Sequence, residues 1–130
     1  MYKNNSIIKI ICFVSVKNRL YFSENYRQMD LTQQEWAAQQ AANPDSMIID
    51  VRTSEEYSDR HIPNAKLLDI RDPQGFMDGV ATLDNSKTYF VYCRSGARSA
   101  QACQIFKQQG VSSCFNLLGG IMEWQGETTS

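Results

Sequence analysis

Segment 88–109 joins a short apolar stretch directly to an amphipathic one, and it restricts the possible folds more than any other part of the chain. Thr88–Tyr92, with the sequence TYFVY, is rich in aromatic and β-branched residues, as buried strands are. From Arg98 to Gln109 the apolar residues share one helical face, and Gly110 is a typical helix stop. The pattern predicts a strand, a tight loop that begins at Cys93, and a helix.

Strand and helix signals alternate through the rest of the chain as well. Short apolar runs predict further strands at 47–51, 65–70 and 114–118. Residues suited to N-capping predict helices that start after Thr32, Thr53 and Asp72. This order predicts a three-layer α/β/α fold, in which helices cover both faces of a mainly parallel sheet. Ligands of such folds bind beyond the carboxyl ends of the strands, where Cys93 is expected.

Charge is unevenly distributed along the chain, although the net charge is only -1. Residues 1–28 contain five Lys or Arg and one acidic residue, whereas residues 29–130 contain eight and thirteen. An acidic body without a basic cluster attracts phosphates weakly, so we predict no nucleic-acid partner. A chain of 130 residues is long enough for one domain, which we place at 29–126, after an extension at 1–28 and before a polar tail at 127–130. The polar residues 125–130 are expected to fray.

The N-terminal region holds the one strongly apolar run of the chain, IIKIICFVSV at residues 7–16. This run is about half as long as the roughly 20 residues that a transmembrane helix needs, and Lys9 interrupts it. We therefore predict no transmembrane segment. We favour an extension upstream of the domain, while an extra strand and a signal for export to the periplasm are the alternatives.

The spacing of the cysteines, at positions 12, 93, 103 and 114, bears on metal binding and on the cellular compartment. They form no CxxC pair, and His61 is the single histidine, so the close ligand pairs of a zinc site are missing and no metal is predicted. A chain with a sufficient core needs no disulfide framework, which favours a reducing compartment and a cytoplasmic location. Cys103 and Cys114 are expected to be packing residues.

Cys93 differs from the other cysteines because it lies between a buried strand and the start of a helix. The first amides of a helix have no partner within it, and together with the helix dipole they favour a thiolate. Arg94 and Arg98 add positive charge, while Ser95 and Ser99 add hydroxyl donors. Gly96 permits a turn in which successive amides point inward. We therefore expect an anion-binding loop with a nucleophile at its base; a buried packing role for Cys93 is the alternative.

Four separated motifs in the body of the chain resemble those of the single-domain rhodanese family. They are IIDVR at 48–52, EEYSDRHIPNA at 55–65, CRSGARS at 93–99 and LLGGIMEW at 117–124. The resemblance implies a five-stranded domain and a thiosulfate sulfurtransferase activity without a cofactor. It makes Cys93 the nucleophile that carries a persulfide. The substrate-binding residues that it implies are Arg94, Ser95, Gly96, Ala97, Arg98 and Ser99.

The same resemblance implies the partners of the reaction. The donor is thiosulfate or a persulfide, the acceptor is cyanide or a thiol, and a protein acceptor fits the same chemistry. In two-step covalent catalysis, the loop amides would stabilise negative charge on the terminal sulfur. The physiological donor and acceptor stay open at this point.

Three charged or polar residues of the matching motifs are expected to support the structure. Asp50 and Arg52 follow the first core strand, where buried charges need partners, and His61 is expected to hold its turn by hydrogen bonds. Arg60 departs from the family, which generally has glycine there, and this substitution puts the turn geometry in question. Asn64 replaces another common glycine, but asparagine tolerates left-handed backbone geometry.

Two other functions remain open on the sequence. A cysteine phosphatase also uses a thiolate in an anion-binding loop, but such enzymes place five residues between cysteine and arginine. Cys93 and Arg98 enclose only four, and this smaller ring suits a sulfur atom better than a phosphoryl group. The second alternative is a non-catalytic rhodanese-like interaction module, against which the retention of Cys93 argues.

Overall fold

The computed structural model describes residues 29–130, of which Leu31–Ser130 form one compact unit. The predictions for residues 1–28, including the extra strand and the export signal, concern a segment outside the described residues. Within 29–130 no helix has both the length and the apolar character needed to cross a bilayer.

A five-stranded sheet forms the centre of the molecule, in the order β1-β5-β4-β2-β3. Neighbouring strands pair in parallel from β5 through β4 and β2 to β3, which confirms the mainly parallel sheet expected from the sequence. The strands are β1 (Asp30–Leu31), β2 (Met47–Asp50), β3 (Lys66–Leu67), β4 (Thr88–Tyr92) and β5 (Ser113–Leu117).

Within residues 29–130, four α-helices and one short 3-10 helix connect or follow the strands. The predicted N-caps are confirmed: Thr32 and Thr53 form complete capping boxes, and the Asp72 side chain accepts a hydrogen bond from the Gly75 amide. The helices are α1 (Gln33–Ala41), α2 (Ser54–Asp59), α3 (Pro73–Ala81) and α4 (Ala97–Gln108), and the 3-10 helix is Ile121–Glu123.

The alternation of side chains along β4 explains why both faces of the sheet are covered. Phe90 and Tyr92 point to one face, where their rings lie 5.7 and 6.3 Å from the ring of Trp36 on α1. Tyr89 points to the other face, where its ring lies 6.0 Å from Phe106 on α4. The three-layer arrangement predicted from the sequence is therefore present, with residues 89–92 of β4 buried at its centre.

The predicted strand at 65–70 is too long, because β3 contains only Lys66 and Leu67. Its partner β2 ends at Asp50, whose side chain accepts a hydrogen bond from the Arg52 amide at 2.9 Å and turns the chain away. Beyond β3 the amides of residues 68 and 70 still bond to carbonyls at the end of β2, but as a loop. The apolar run therefore reflects burial in a loop as much as strand pairing.

The expectation that residues 125–130 fray is wrong. Thr129 and His61 exchange two backbone hydrogen bonds of 2.8 Å, which tie the tail to the turn after α2. The Trp124 side chain also donates to the Glu127 carbonyl at 3.0 Å. Polar composition alone suggested disorder, but backbone pairing with a distant turn orders these residues.

Candidate active site

Cys93 is the first residue after the central strand β4, at the carboxyl edge of the sheet. Its side chain is buried, with 1% of the residue exposed. The Sγ atom nevertheless faces polar groups, because the Gly96 amide donates to it at 3.1 Å and the Ser99 hydroxyl lies 3.3 Å away. The loop therefore surrounds the sulfur with donors, as an anion requires.

These donors change the acidity of the thiol. Burial by itself raises the pKa of Cys93, but hydrogen bonds from the Ser99 hydroxyl and from the amides of Ser99, Gly96 and Ser95 outweigh burial. The net pKa of Cys93 is lowered, so a larger share of the residue is ionised near neutral pH. The thiolate is the form of cysteine that acts as a nucleophile.

Gly96 makes this arrangement possible at the start of α4. It is the N-cap residue and adopts a φ of 108°, a left-handed geometry that favours glycine. No side chain of the cap itself bonds to the first turn of α4. The Cys93 sulfur instead accepts hydrogen bonds from the amides of Gly96 and Ser99, the latter in the first turn of α4, which couples the helix start to Cys93.

Asn116 on β5 is a member of the site that the sequence analysis missed. It is buried, its Oδ1 lies 2.5 Å from the Ser99 hydroxyl, and its Nδ2 donates to the Gly96 carbonyl at 3.3 Å. The side chain thus holds both Ser99 and the loop backbone in place. A polar residue in the otherwise apolar run CFNLL was the one available signal in the sequence.

Arg98 faces an acidic partner, Glu56 on α2. Its guanidinium makes two hydrogen bonds to that carboxylate, at 2.9 and 3.0 Å. This pair, assisted by the Thr53 cap, lowers the pKa of Glu56 to about 2 despite partial burial. Arg98 has a raised pKa, mainly from Glu56, and the charge of Cys93 adds to the same effect. The positive charge of Arg98 therefore interacts with both the Glu56 carboxylate and the Cys93 sulfur.

Arg94 lies at the edge of a cavity of about 220 Å³ next to the loop. Its own side chain is exposed, and its carbonyl accepts a hydrogen bond from the Met122 amide at 3.0 Å. The cavity is polar and carries more cationic than acidic side chains. The residues that line it are Arg52, Glu56, Asp59, Arg60, Arg94, Ile121 and Met122.

Arg60 does not disturb the turn, although glycine is general there in the family that the motifs resemble. Its φ of -168° and ψ of 134° describe extended backbone, which any residue adopts. Its guanidinium donates to the Ile121 carbonyl at 3.2 Å and lines the cavity. Asn64, in contrast, has a φ of 70°, the left-handed geometry for which asparagine is suited.

Asp50 and Arg52 form a buried ion pair under this cavity. The shortest contact, from Arg52 Nη2 to Asp50 Oδ2, is 2.7 Å, and the same nitrogen donates to the Arg60 carbonyl at 2.6 Å. Burial opposes the charge of Arg52, yet its pKa is raised because the Asp50 carboxylate bonds to it and, to a smaller extent, because the Tyr92 hydroxyl lies close to it. The pair joins the end of β2 to the residue that lines the cavity.

His61 lies on the α2 side of this region. Its ring stacks on Tyr57 with 3.8 Å between the ring centroids, and its Nδ1 is 2.8 Å from the Tyr57 carbonyl. Together with the backbone bridge to Thr129, these contacts hold the turn. In the described part of the chain, no group of three His, Cys, Asp or Glu side chains is placed to hold a metal ion.

Gly120 supports the other side of the loop. It has a φ of 60°, and a Cβ placed on it would overlap the Arg94 carbonyl. The following amide, that of Ile121, donates to the Cys93 carbonyl at 2.9 Å. The glycine therefore lets the 3-10 helix approach the backbone of Cys93 and Arg94 closely.

The fold and site together define a class of α/β domains in which the amides of a loop surround a cysteine sulfur at the end of the central strand. The chain belongs to the rhodanese-like domain family, whose model matches residues 33–127.

Relatives and solved structures agree with this membership. "Putative sulfurtransferase YtwF" of Bacillus subtilis is 39% identical over 87 residues, which cover 67% of this chain and 81% of that protein. A protein named "Sulfurtransferase" from Allochromatium vinosum is 36% identical over 65% of this chain and 76% of its own length. A crystal structure of a rhodanese-like domain protein from Staphylococcus aureus matches with a TM-score of 0.65 and 28% identity, over 75% of this chain and 92% of that chain.

Proposed function

We propose that the protein is a sulfurtransferase that moves a sulfane sulfur from thiosulfate or a related persulfide donor to a thiophilic acceptor. The observation that carries this proposal is the set of donors around Cys93 Sγ, from the Gly96 amide at 3.1 Å to the Ser99 hydroxyl at 3.3 Å. They favour the thiolate needed for attack. The relatives that are named as sulfurtransferases support the same reaction class.

The first half of the reaction loads the enzyme. The Cys93 thiolate attacks the outer sulfur of thiosulfate, a new S–S bond forms, and the S–S bond of thiosulfate breaks. Sulfite leaves with the electron pair of that bond, so no external oxidant or cofactor is needed. The outer sulfur of the resulting persulfide is acidic, and amides of the loop are the groups that would stabilise its negative charge.

The second half regenerates the thiolate. A nucleophilic acceptor, such as cyanide or a thiolate, attacks the outer sulfur of the persulfide and takes it away. The bonding electrons return to Cys93 Sγ, where the same hydrogen bonds favour the anion. A protein thiol would serve as an acceptor in the same way as a small one.

The polar cavity beside the loop supports an anionic donor. Arg94 and Arg60 line it, and neither guanidinium is the one that pairs with Glu56. A volume of about 220 Å³ also leaves space for donors larger than thiosulfate. The engagement of Arg98 with Glu56, in turn, disfavours a phosphatase, in which the arginine of the loop has to bind the phosphoryl group.

The test is the formation of thiocyanate from thiosulfate and cyanide by the full chain. Cys93→Ala should lose the activity while remaining folded, whereas Cys103→Ala, the same substitution at a cysteine of α4, should keep it. Intact mass spectrometry after incubation with thiosulfate alone should show one added sulfur, on the peptide that contains Cys93. Phosphate release without sulfur transfer would support a phosphatase instead. The absence of both activities would support a binding module.

A further inference from the structure

Two cysteines that the proposed reaction does not use contact each other inside the domain. Cys103 on α4 and Cys114 on β5 have their Sγ atoms 2.8 Å apart. Both residues are buried, with exposures of 0% and 1%, and neither forms a disulfide in this structure. A disulfide bond measures about 2.05 Å, so the two sulfurs are within about 0.8 Å of bonding distance.

This contact lies next to the Ser99–Asn116 contact, one helical turn further along α4. Ser99 and Cys103 are one helical turn apart on α4, and Cys114 and Asn116 are two residues apart on the same face of β5. Both steps advance about 6 Å, so the two elements remain in register. The hydrogen bond from Ser99 to Asn116 and the contact from Cys103 to Cys114 are therefore successive links between the helix and the strand.

We propose that Cys103 and Cys114 form a reversible disulfide that fastens α4 to β5 behind the Cys93 loop. A bond at this position fixes the distance between the elements that carry Ser99 and Asn116, and these two residues hold the sulfur and the loop backbone. Oxidation of the pair thus stabilises the arrangement around Cys93, and reduction releases it. The inference concerns a covalent site separate from the sulfur-transfer site.

The oxidant is a low-molecular-weight disulfide such as oxidised glutathione. One cysteine thiolate attacks a sulfur of that disulfide, forms a mixed disulfide and releases one glutathione thiolate. The second cysteine, as its thiolate, attacks the bound sulfur of the first and displaces the second glutathione thiolate. Both protons of the protein thiols end on glutathione, so one disulfide is exchanged for another.

Burial of the pair sets the design of the experiment, because an oxidant reaches these sulfurs only when the chain opens. The full chain with Cys12→Ser and Cys93→Ser leaves Cys103 and Cys114 as its only thiols. It is unfolded, refolded in a buffer of oxidised and reduced glutathione, and then alkylated. Trypsin cleaves after Lys107 and separates the peptides 99–107 and 108–130, which remain joined only by the proposed bond.

We expect the joined peptides, a protein mass lower by two hydrogen atoms, and a Tm about 10 °C higher than that of the reduced protein. Dithiothreitol should reverse all three. The amides of α4 should exchange hydrogen more slowly in the oxidised form. The same background with Cys114→Ala should show none of these reductant-dependent changes, and Cys103→Ala provides the same control from the other side.

Two results would overturn the proposal. One is a refolded protein in which both thiols are alkylated or carry glutathione. In that case the oxidant reached both cysteines during refolding, and no disulfide formed between them. The other is a bond that forms but leaves the Tm and the exchange of α4 unchanged or lowers the Tm, because α4 is then not fastened to β5.

Discussion

Ser99 places its hydroxyl 3.3 Å from the Sγ of Cys93, although the two residues belong to different elements and are six positions apart. The same hydroxyl lies 2.5 Å from Asn116 Oδ1, so a buried serine connects Cys93 to strand β5. The acidity of the thiol therefore depends on the docking of α4 against the sheet as well as on the loop itself.

Replacement of Ser99 should weaken the nucleophile. Ser99→Ala removes a hydrogen bond that lowers the pKa of Cys93, so that pKa should rise and the thiolate fraction at neutral pH should fall. A hydrogen bond to a charged group contributes about 1.5–3 kcal/mol. Because the single hydroxyl proton of Ser99 also faces Asn116 Oδ1, we expect the lower end of this range, roughly a tenfold slower reaction with iodoacetamide at pH 7. The measurement is the pH dependence of the alkylation rate. Ser95→Ala is the control, because its amide faces the sulfur while its side chain is exposed; an equal effect of both changes would contradict the role of the Ser99 hydroxyl.

Gly120→Ala should damage the loop itself. The added Cβ would overlap the Arg94 carbonyl, and the φ of 60° at this position disfavours alanine. We expect a loss of about 2–4 kcal/mol in the free energy of unfolding, together with slow alkylation of Cys93 in the folded protein. Urea unfolding and alkylation kinetics measure the two effects.

The control for this change is Gly110→Ala, at the far end of α4. Gly110 also has a positive φ, of 104°, but its neighbour is the flexible end of the Asn85 side chain. Gly110→Ala should lose about 1–2 kcal/mol in the free energy of unfolding and keep the reactivity of Cys93. If Gly120→Ala retained normal alkylation as well, the close approach to Arg94 would not shape the site.

The ion pair of Glu56 and Arg98 should make stability depend on pH in acid. The pKa of Glu56 is about 2 in the folded protein against a reference of 4.5, so the charged form is stabilised by folding. This contribution is fully present above about pH 4.5 and is lost as the pH falls through the folded value. Glu56→Gln should flatten that part of the Tm profile, whereas Glu55→Gln, an exposed neighbour on α2, should leave it unchanged. A wild-type slope in Glu56→Gln would contradict the assignment.

Asp50→Asn should destabilise the whole domain. The change leaves the buried guanidinium of Arg52 without its carboxylate partner, and removal of one member of such a pair costs about 3–5 kcal/mol. Asp45→Asn, the same substitution at an exposed position, should change the free energy of unfolding by less than about 0.5 kcal/mol. Urea denaturation compares the two variants, and similar midpoints would show that the Asp50 pair contributes little.

The cationic side of the cavity should determine the affinity for an anionic donor. Arg60→Ala or Arg94→Ala should raise the KM for thiosulfate roughly tenfold, since each removes one charge near the bound anion. Arg60→Lys should recover part of the loss, and Arg71→Ala, an exposed arginine that is not part of the lining, should have no effect. Higher ionic strength should reduce the difference between the wild-type protein and the variants. An unchanged KM in both alanine variants would show that the cavity does not bind the donor.

Local features of the sequence predicted the local structure well. The capping boxes at Thr32 and Thr53 depend on residues three positions apart, so they form without help from distant parts of the chain. The order of strand, loop and helix likewise placed Cys93 between β4 and α4, because a short connection leaves few other arrangements. The family motif CRSGARS also marked residues 93–99, which connect β4 to the first turn of α4.

Tertiary structure decided the partners of these residues. Strand order places β5 beside β4, and only this neighbourhood brings Asn116 to Ser99 and Cys114 to Cys103. The position of α2 beside the first turn of α4 brings Glu56 to Arg98. The backbone pairing of the C-terminal residues brings Thr129 to His61. Each contact joins positions far apart in the chain, and no local pattern encodes the distance between them, because strand order and helix docking set that distance only when the core is packed.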